Sequence, residues 1–215
     1  NCVSMSRSHQ EQVLQLEAED LSLAGYRKLA DELGIWVLIG SLALKTDDAD
    51  GRFANRSCLI DPSGAVIARY DKIHMFDVDV SKDETYRESD GYRPGTQAVV
   101  ASTPFGDLGL SICYDLRFAY LYRALAQVGA EILTVPAAFS PVTGKAHWES
   151  LLRARAIETG CYVLAPAQTG QHSAGRGKER QTYGHSLVIS PWGEVLADGG
   201  TEERTVLVEI DRAEV

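Results

Sequence analysis

The stretch Ser111-Ile112-Cys113-Tyr114-Asp115-Leu116-Arg117-Phe118 puts a thiol where an apolar strand hands over to a helix. A side chain on such a turn is held at the carboxyl edge of a sheet, where α/β proteins place their sites. Backbone N–H groups at a helix start favour a thiolate and can form an oxyanion hole for acyl transfer. Cys113 is therefore a candidate nucleophile, although by composition alone a free cysteine is more often a core residue. A thiol nucleophile needs a base. His9, His74, His147, His172 and His185 are available, but none is tied to Cys113 by local spacing, so a Cys–His pair stays open. The second candidate is Lys72 in Tyr70-Asp71-Lys72-Ile73-His74, where a strand meets a long loop. A buried ammonium there would stabilise a developing oxyanion; a solvated strand-end lysine is the plainer reading. In the same loop, Arg87-Glu88-Ser89-Asp90 supplies carboxylates able to pair with Lys72 or with a substrate amine.

These side chains need a scaffold. Apolar residues at helical spacing predict a helix over Leu21–Leu33, ended by Gly34. Ile35 to Leu44 reads as a strand buried on both faces. Phe53 to Ile60 and Ala65 to Tyr70 read as an antiparallel hairpin turned by Asp61-Pro62-Ser63-Gly64. Residues 72–96 are expected to be irregular, and a loop of that length is usually functional. Strands are expected over Gln97 to Ser102, Leu108 to Cys113, Glu131 to Val135 and Cys161 to Ala165. Helices are expected over Phe118 to Val128 and Ala146 to Glu158. A meander of Ser186 to Ser190, Glu194 to Ala197 and Thr205 to Ile210 closes the chain. Hairpins at both ends with β-α-β crossovers between them imply an α/β protein of mixed sheets covered by helices. No linker or repeat interrupts the 215 residues, which read as a single domain.

Composition narrows the partners. With 21 basic against 30 acidic residues, the net charge of −9 argues against a nucleic-acid binder, and no basic cluster reverses that locally. No apolar run approaches the ~20 residues a membrane span needs. The four cysteines, Cys2, Cys58, Cys113 and Cys161, form no CxxC or CxxH pair, which argues against a zinc site. With no signal-like apolar segment, the chain is expected in a reducing cytoplasm with free thiols, Cys58 and Cys161 being core residues.

Taken together and in order, several segments carry a resemblance: Tyr70 to Asp77, Glu88-Ser89-Asp90, Cys113 to Phe118, Pro136-Ala137-Ala138-Phe139, Thr143-Gly144-Lys145-Ala146-His147-Trp148, Arg153 to Glu158, Tyr183-Gly184-His185-Ser186 and Ser190-Pro191-Trp192-Gly193. The chain resembles the nitrilase superfamily of carbon–nitrogen hydrolases along nearly its whole length. It is most similar to the Nit branch of ω-amidases and deaminated-glutathione amidases. The resemblance implies a four-layer α-β-β-α sandwich and a cofactor-independent, metal-free amidase acting on a small linear amide, such as deaminated glutathione or α-ketoglutaramate. It assigns Cys113 as nucleophile, Lys72 as oxyanion-stabilising lysine, and Glu88 as the glutamate orienting Lys72 and substrate. It makes the Tyr114 N–H the second oxyanion donor, dispenses with a catalytic His, and implies Phe139, Thr143 and His147 as substrate-binding residues. A homodimer or larger homo-oligomer follows from the same resemblance. The family's general-base glutamate would precede Asn1, and Glu11, Glu17 and Glu19 do not match it. The 215 residues are thus expected to be part of a longer chain, without the family's first strands and helix. The alternative is a non-catalytic binding or scaffold protein of the same fold that lacks this base.

Overall fold

The computed structural model describes residues 14–81, 84–172 and 179–215. They fall into two compact units, one within 14–97 and the other within 98–172 and 179–215.

In the first unit the helix α1 (Leu21–Leu33) lies where its apolar spacing predicts it. The Asp20 carboxylate accepts the Leu23 N–H at 2.7 Å, and Gly34, at φ 62°, closes the helix in the left-handed region. Leu23 and Ala30 pack on Ile39, Cys58 and Ile60, which joins the helix to a sheet. That sheet is antiparallel, with β1 (Val37–Leu44), β2 (Ala54–Ile60) and β3 (Val66–Asp71) in sequential order. The Asp61 carboxylate accepts from Ser63 and Ala65 N–H and so closes the expected β2–β3 hairpin. The stretch after β3 departs from expectation. It holds a second hairpin, β4 (Asp77–Ser81) with β5 (Glu84–Arg87), and a single 3-10 turn over Glu88–Asp90. The alternation in Asp77-Val78-Asp79-Val80 is the strand signal that the charge of this loop masked.

The second unit is built on a six-stranded mixed sheet. Its strands are β6 (Val100–Thr103), β7 (Gly106–Leu110), β8 (Ile132–Thr134), β9 (Tyr162–Ala165), β12 (Leu187–Ile189) and β13 (Val195–Asp198), ordered β13-β12-β9-β8-β7-β6. The central strands β7, β8 and β9 are parallel, linked through α2 (Ala119–Gln127) and α3 (Pro141–Thr159). Leu121 and Leu125 of α2 and Trp148, Leu152 and Ala156 of α3 are buried with Leu110, Leu133 and Val163 of the sheet. A short hairpin of β10 (Thr169–His172) and β11 (Arg180–Tyr183), unforeseen from the sequence, stands beside it.

Several expectations shift: β6 starts at Val100 rather than Gln97, and β1 leaves Ser41 exposed instead of being buried on both faces. β7 ends at Leu110 rather than Cys113, and α3 starts at Pro141 rather than Ala146. Thr205 to Ile210 joins no sheet among the described residues. Its alternation is present, with Val206, Val208 and Ile210 half-buried, yet a strand also needs a ladder partner.

Candidate active site

Lys72 follows the last residue of β3, and its surroundings fix it there. Its N–H donates to Asn55 O at 2.9 Å and its carbonyl accepts from Gly95 at 2.8 Å. Gly95 is a glycine for lack of room, since a Cβ would lie 2.1 Å from the Asp71 carbonyl oxygen. The Asp71 carboxylate is in turn gripped by Arg56 through Nε and Nη2, at 2.6 and 2.9 Å. The Lys72 side chain ends on Glu88, with Nζ to Oε2 at 2.5 Å, and both side chains are almost wholly buried. Glu88 Oε2 also accepts the Phe76 N–H at 2.7 Å, and Oε1 accepts Asn55 Nδ2 at 3.2 Å. This carboxylate is committed to holding a cation. A buried, oriented ammonium of this kind is far more effective on a developing negative charge than one in water.

Cys113 is held differently, by a bend in the main chain. Beyond Leu110 the chain still follows β8: Ser111 N–H donates to Thr134 O at 3.2 Å and Cys113 N–H to Pro136 O at 2.9 Å. At Cys113 the backbone turns to φ 52°, a conformation that a non-glycine residue adopts at a cost of about 1–2 kcal/mol. That bend ends the strand early. A 3-10 turn over Cys113–Arg117 follows, stapled by Asp115 Oδ2 on the Ile112 N–H at 2.8 Å. Tyr114 is its second residue, placing its N–H in the opening of the turn.

Cys113 is half-buried, whereas Cys58 and Cys161 are fully enclosed. Burial pushes the Cys58 thiol up to about 11 and raises that of Cys161 as well. Both are therefore inert core thiols at neutral pH, as their apolar context implies. Cys2 and His9 lie outside the described residues, as does Glu11.

The remaining expected residues gather where α3 begins. The Ser140 hydroxyl caps the helix by accepting the Thr143 N–H at 3.3 Å, and Pro141 opens it. Thr143 and His147 are thus one turn apart on a regular helix. The His147 ring Nδ1 lies 3.2 Å from Arg117 Nη2, and the Arg117 guanidinium sits over the Phe139 and Tyr114 rings at 5.7 and 5.8 Å. Phe139, Tyr114 and His147 therefore share the cation at the end of the Cys113 turn. The other two histidines of this unit have partners of their own, His172 with Thr182 and His185 with Asp198. Glu17 bridges Arg56 and Arg69 at 2.7 Å each, a structural role. Among the described residues, no three His, Cys, Asp or Glu side chains cluster as metal ligands.

A model of the carbon–nitrogen hydrolase family matches residues 4–215. The chain belongs to this family. It is 46% identical over 186 residues to the deaminated glutathione amidase of Yersinia enterocolitica, covering 86% of this chain and 64% of that one. Among solved structures, it matches the C. elegans NitFhit protein with a TM-score of 0.78 at 42% identity, over 86% of this chain and 44% of that one. It matches a mutant of the Nesterenkonia sp. AN1 amidase with a TM-score of 0.78 at 25% identity, over 98% of this chain and 74% of that one. That structure shows covalent addition of the acetamide moiety of fluoroacetamide at its active-site cysteine. The carbon–nitrogen hydrolase family and the nitrilase fold are therefore those the sequence motifs imply.

Three contributors went unread in the sequence. Asn55 grips Glu88 and Lys72, Asp115 staples the turn, and Arg117 joins the expected substrate residues.

Proposed function

We propose that this protein hydrolyses the C–N bond of a small linear ω-amide through a thioester on Cys113. One observation carries the reading: a half-buried thiol on a left-handed backbone kink that opens a 3-10 turn, while the other two described thiols are sealed in the core. The Cys113 thiolate attacks the amide carbonyl carbon, and the electron pair moves to oxygen, where Lys72 and the Tyr114 N–H receive it. Collapse re-forms the carbonyl and breaks the C–N bond. The proton taken from the thiol by a general base passes to nitrogen, and the amine leaves, as ammonia from a primary amide such as α-ketoglutaramate or as the cysteinylglycine amine from deaminated glutathione. Water then attacks the thioester and the C–S bond breaks, releasing the acid and the thiol. Glu88, already accepting from Lys72, Phe76 and Asn55, is a positioning carboxylate rather than that base.

Likeness to a deaminated glutathione amidase supports a substrate that combines an ω-amide with an α-keto acid, and Phe139, Thr143 and His147 are assigned to binding it. The two units act as one carbon–nitrogen hydrolase domain, assembled as a homodimer in a reducing cytoplasm.

The test is a substrate panel with protein expressed from its complete gene. Deaminated glutathione and α-ketoglutaramate are expected to lead the panel, and Cys113→Ser to abolish turnover. Iodoacetamide near neutral pH is expected to label Cys113 before Cys58 or Cys161, with substrate protecting it. Activity on bulky aliphatic nitriles with none on amides would refute the substrate class. Absence of any turnover, with Cys113 labelling no faster than Cys58, would leave a binding protein.

A further inference from the structure

We propose that Arg155 is a positioning residue for Cys113, acting through the carbonyl of Leu116; the inference rests on Cys113 being the nucleophile. Arg155 lies on the buried stripe of α3 with Trp148, Leu152 and Ala156, and is only 5% exposed. A guanidinium in such a place loses its hydration, and a packed apolar side chain would often serve stability as well or better. Its contacts show what the charge does instead. Nε and Nη2 both donate to the Leu116 carbonyl oxygen, at 3.1 and 2.8 Å. Nη1 donates to Glu158 Oε1 at 2.8 Å, and the guanidinium sits 5.3 Å from the centre of the Tyr122 ring.

Leu116 is the fourth residue of the five-residue turn that Cys113 opens. Carbonyls at the end of so short a helix lack partners within it, and a carbonyl left free can swing. The Arg155 fork takes this one from the side of α3. The start of the turn is held by Pro136 O on the Cys113 N–H and by Asp115 on the Ile112 N–H. Tyr122, beneath the guanidinium, carries the same restraint back to the strand side, since its hydroxyl meets Ser111 Oγ at 2.8 Å. The kinked residue is therefore clamped from both directions. A backbone conformation this unfavourable persists only where its surroundings over-determine it. A lysine at 155 keeps the charge but cannot hold Leu116 O with two donors while also anchoring on Glu158.

The experiment compares Arg155→Lys, Arg155→Met and the control Arg153→Lys in protein from the complete gene. Arg153 lies on the same helix but is exposed, bonded to Gly193 O and Glu149. Two quantities are read: kcat against KM on deaminated glutathione, and the pH profile of Cys113 alkylation by iodoacetamide. Arg155→Lys is expected to lower kcat by about 10- to 100-fold with KM within about threefold, the scale of a small misplacement of a reacting group. Alkylation of Cys113 slows with it, Arg155→Met falls further, and Arg153→Lys stays at the parent values. A folded Arg155→Lys that melts earlier but keeps kcat within about twofold would overturn the inference and leave Arg155 a purely structural residue. Should neither Arg155 variant fold, Glu158→Gln weakens the outer anchor at an exposed position. A kcat drop of about threefold is then expected, and an unchanged kcat would overturn the inference. Full activity in Cys113→Ser would instead sink the nucleophile assignment itself, a separate outcome.

Discussion

Lys72 and Glu88 form a buried ion pair; in the proposed mechanism Lys72 serves the oxyanion and Glu88 positions it, and a pair of substitutions can separate the two. Breaking such a pair by removing one partner costs about 3–5 kcal/mol, because the other charge is stranded. Losing one oxyanion donor costs on the order of 10² to 10³ in rate. Lys72→Met is therefore expected to lower both kcat and the urea midpoint. In Lys72→Met/Glu88→Gln the stranded carboxylate is gone, while Asn55 and the Phe76 N–H still face an amide at position 88. The double variant is expected to recover most of the stability and none of the rate. Recovery of both would show that Lys72 serves only the fold. At this scale the sequence was informative about residues whose chemistry is unusual for their setting: a thiol at a strand-to-helix turn, a lysine at a strand end. It assigned no role to Asn55 or Arg155. Their roles come from contacts 33 and 39 residues away in the chain, which no local pattern encodes.

Among the elements, those set by local chemistry fall where expected. α1 runs between an Asp cap and a left-handed Gly, and the β2–β3 hairpin turns on Asp61-Pro62-Ser63-Gly64. α3 begins five residues before the expected Ala146, where Ser140 and Pro141 supply a start signal, and it runs on through Gly144. The reason for Gly144 is tertiary. A Cβ there would stand 2.3 Å from Tyr183 Cγ, so the β11 aromatic ring is seated directly on the helix beside Thr143. Gly→Ala in a helix interior ordinarily gains about 0.5–1 kcal/mol. Gly25 of α1 has nothing within 4 Å of its missing Cβ and should show that gain. Gly144→Ala should instead lose about 1–3 kcal/mol to overpacking. Urea midpoints moving in opposite directions for the two variants would bear this out; stabilisation by both would show that the Tyr183 ring gives way freely. The β10–β11 hairpin that carries Tyr183 was itself illegible, as Thr169-Gly170-Gln171-His172 has neither alternation nor β-branched density.

Over the whole molecule, an acidic, well-charged surface keeps like chains apart unless an apolar patch overrides it. The second unit carries such a patch. Trp192 is 86% exposed in the β12–β13 turn, and Gly193 beside it abuts Ile157 of α3, itself 59% exposed, with Val195 and Leu196 following on β13. Arg153 Nε donates to Gly193 O at 2.8 Å and locks the turn to the helix, so these apolar side chains stand on a fixed surface. A large exposed aromatic on rigid backbone is the type of residue that anchors an interface at low entropic cost. We expect sedimentation equilibrium of the full-length protein to give the mass of a dimer. Trp192→Glu combined with Ile157→Glu should give the mass of one chain with the far-ultraviolet dichroism unchanged, since neither side chain belongs to the core. If the parent protein sediments as a monomer, the dimer is wrong. If the double variant stays dimeric, the association uses another face, and Trp192 is exposed for a different partner.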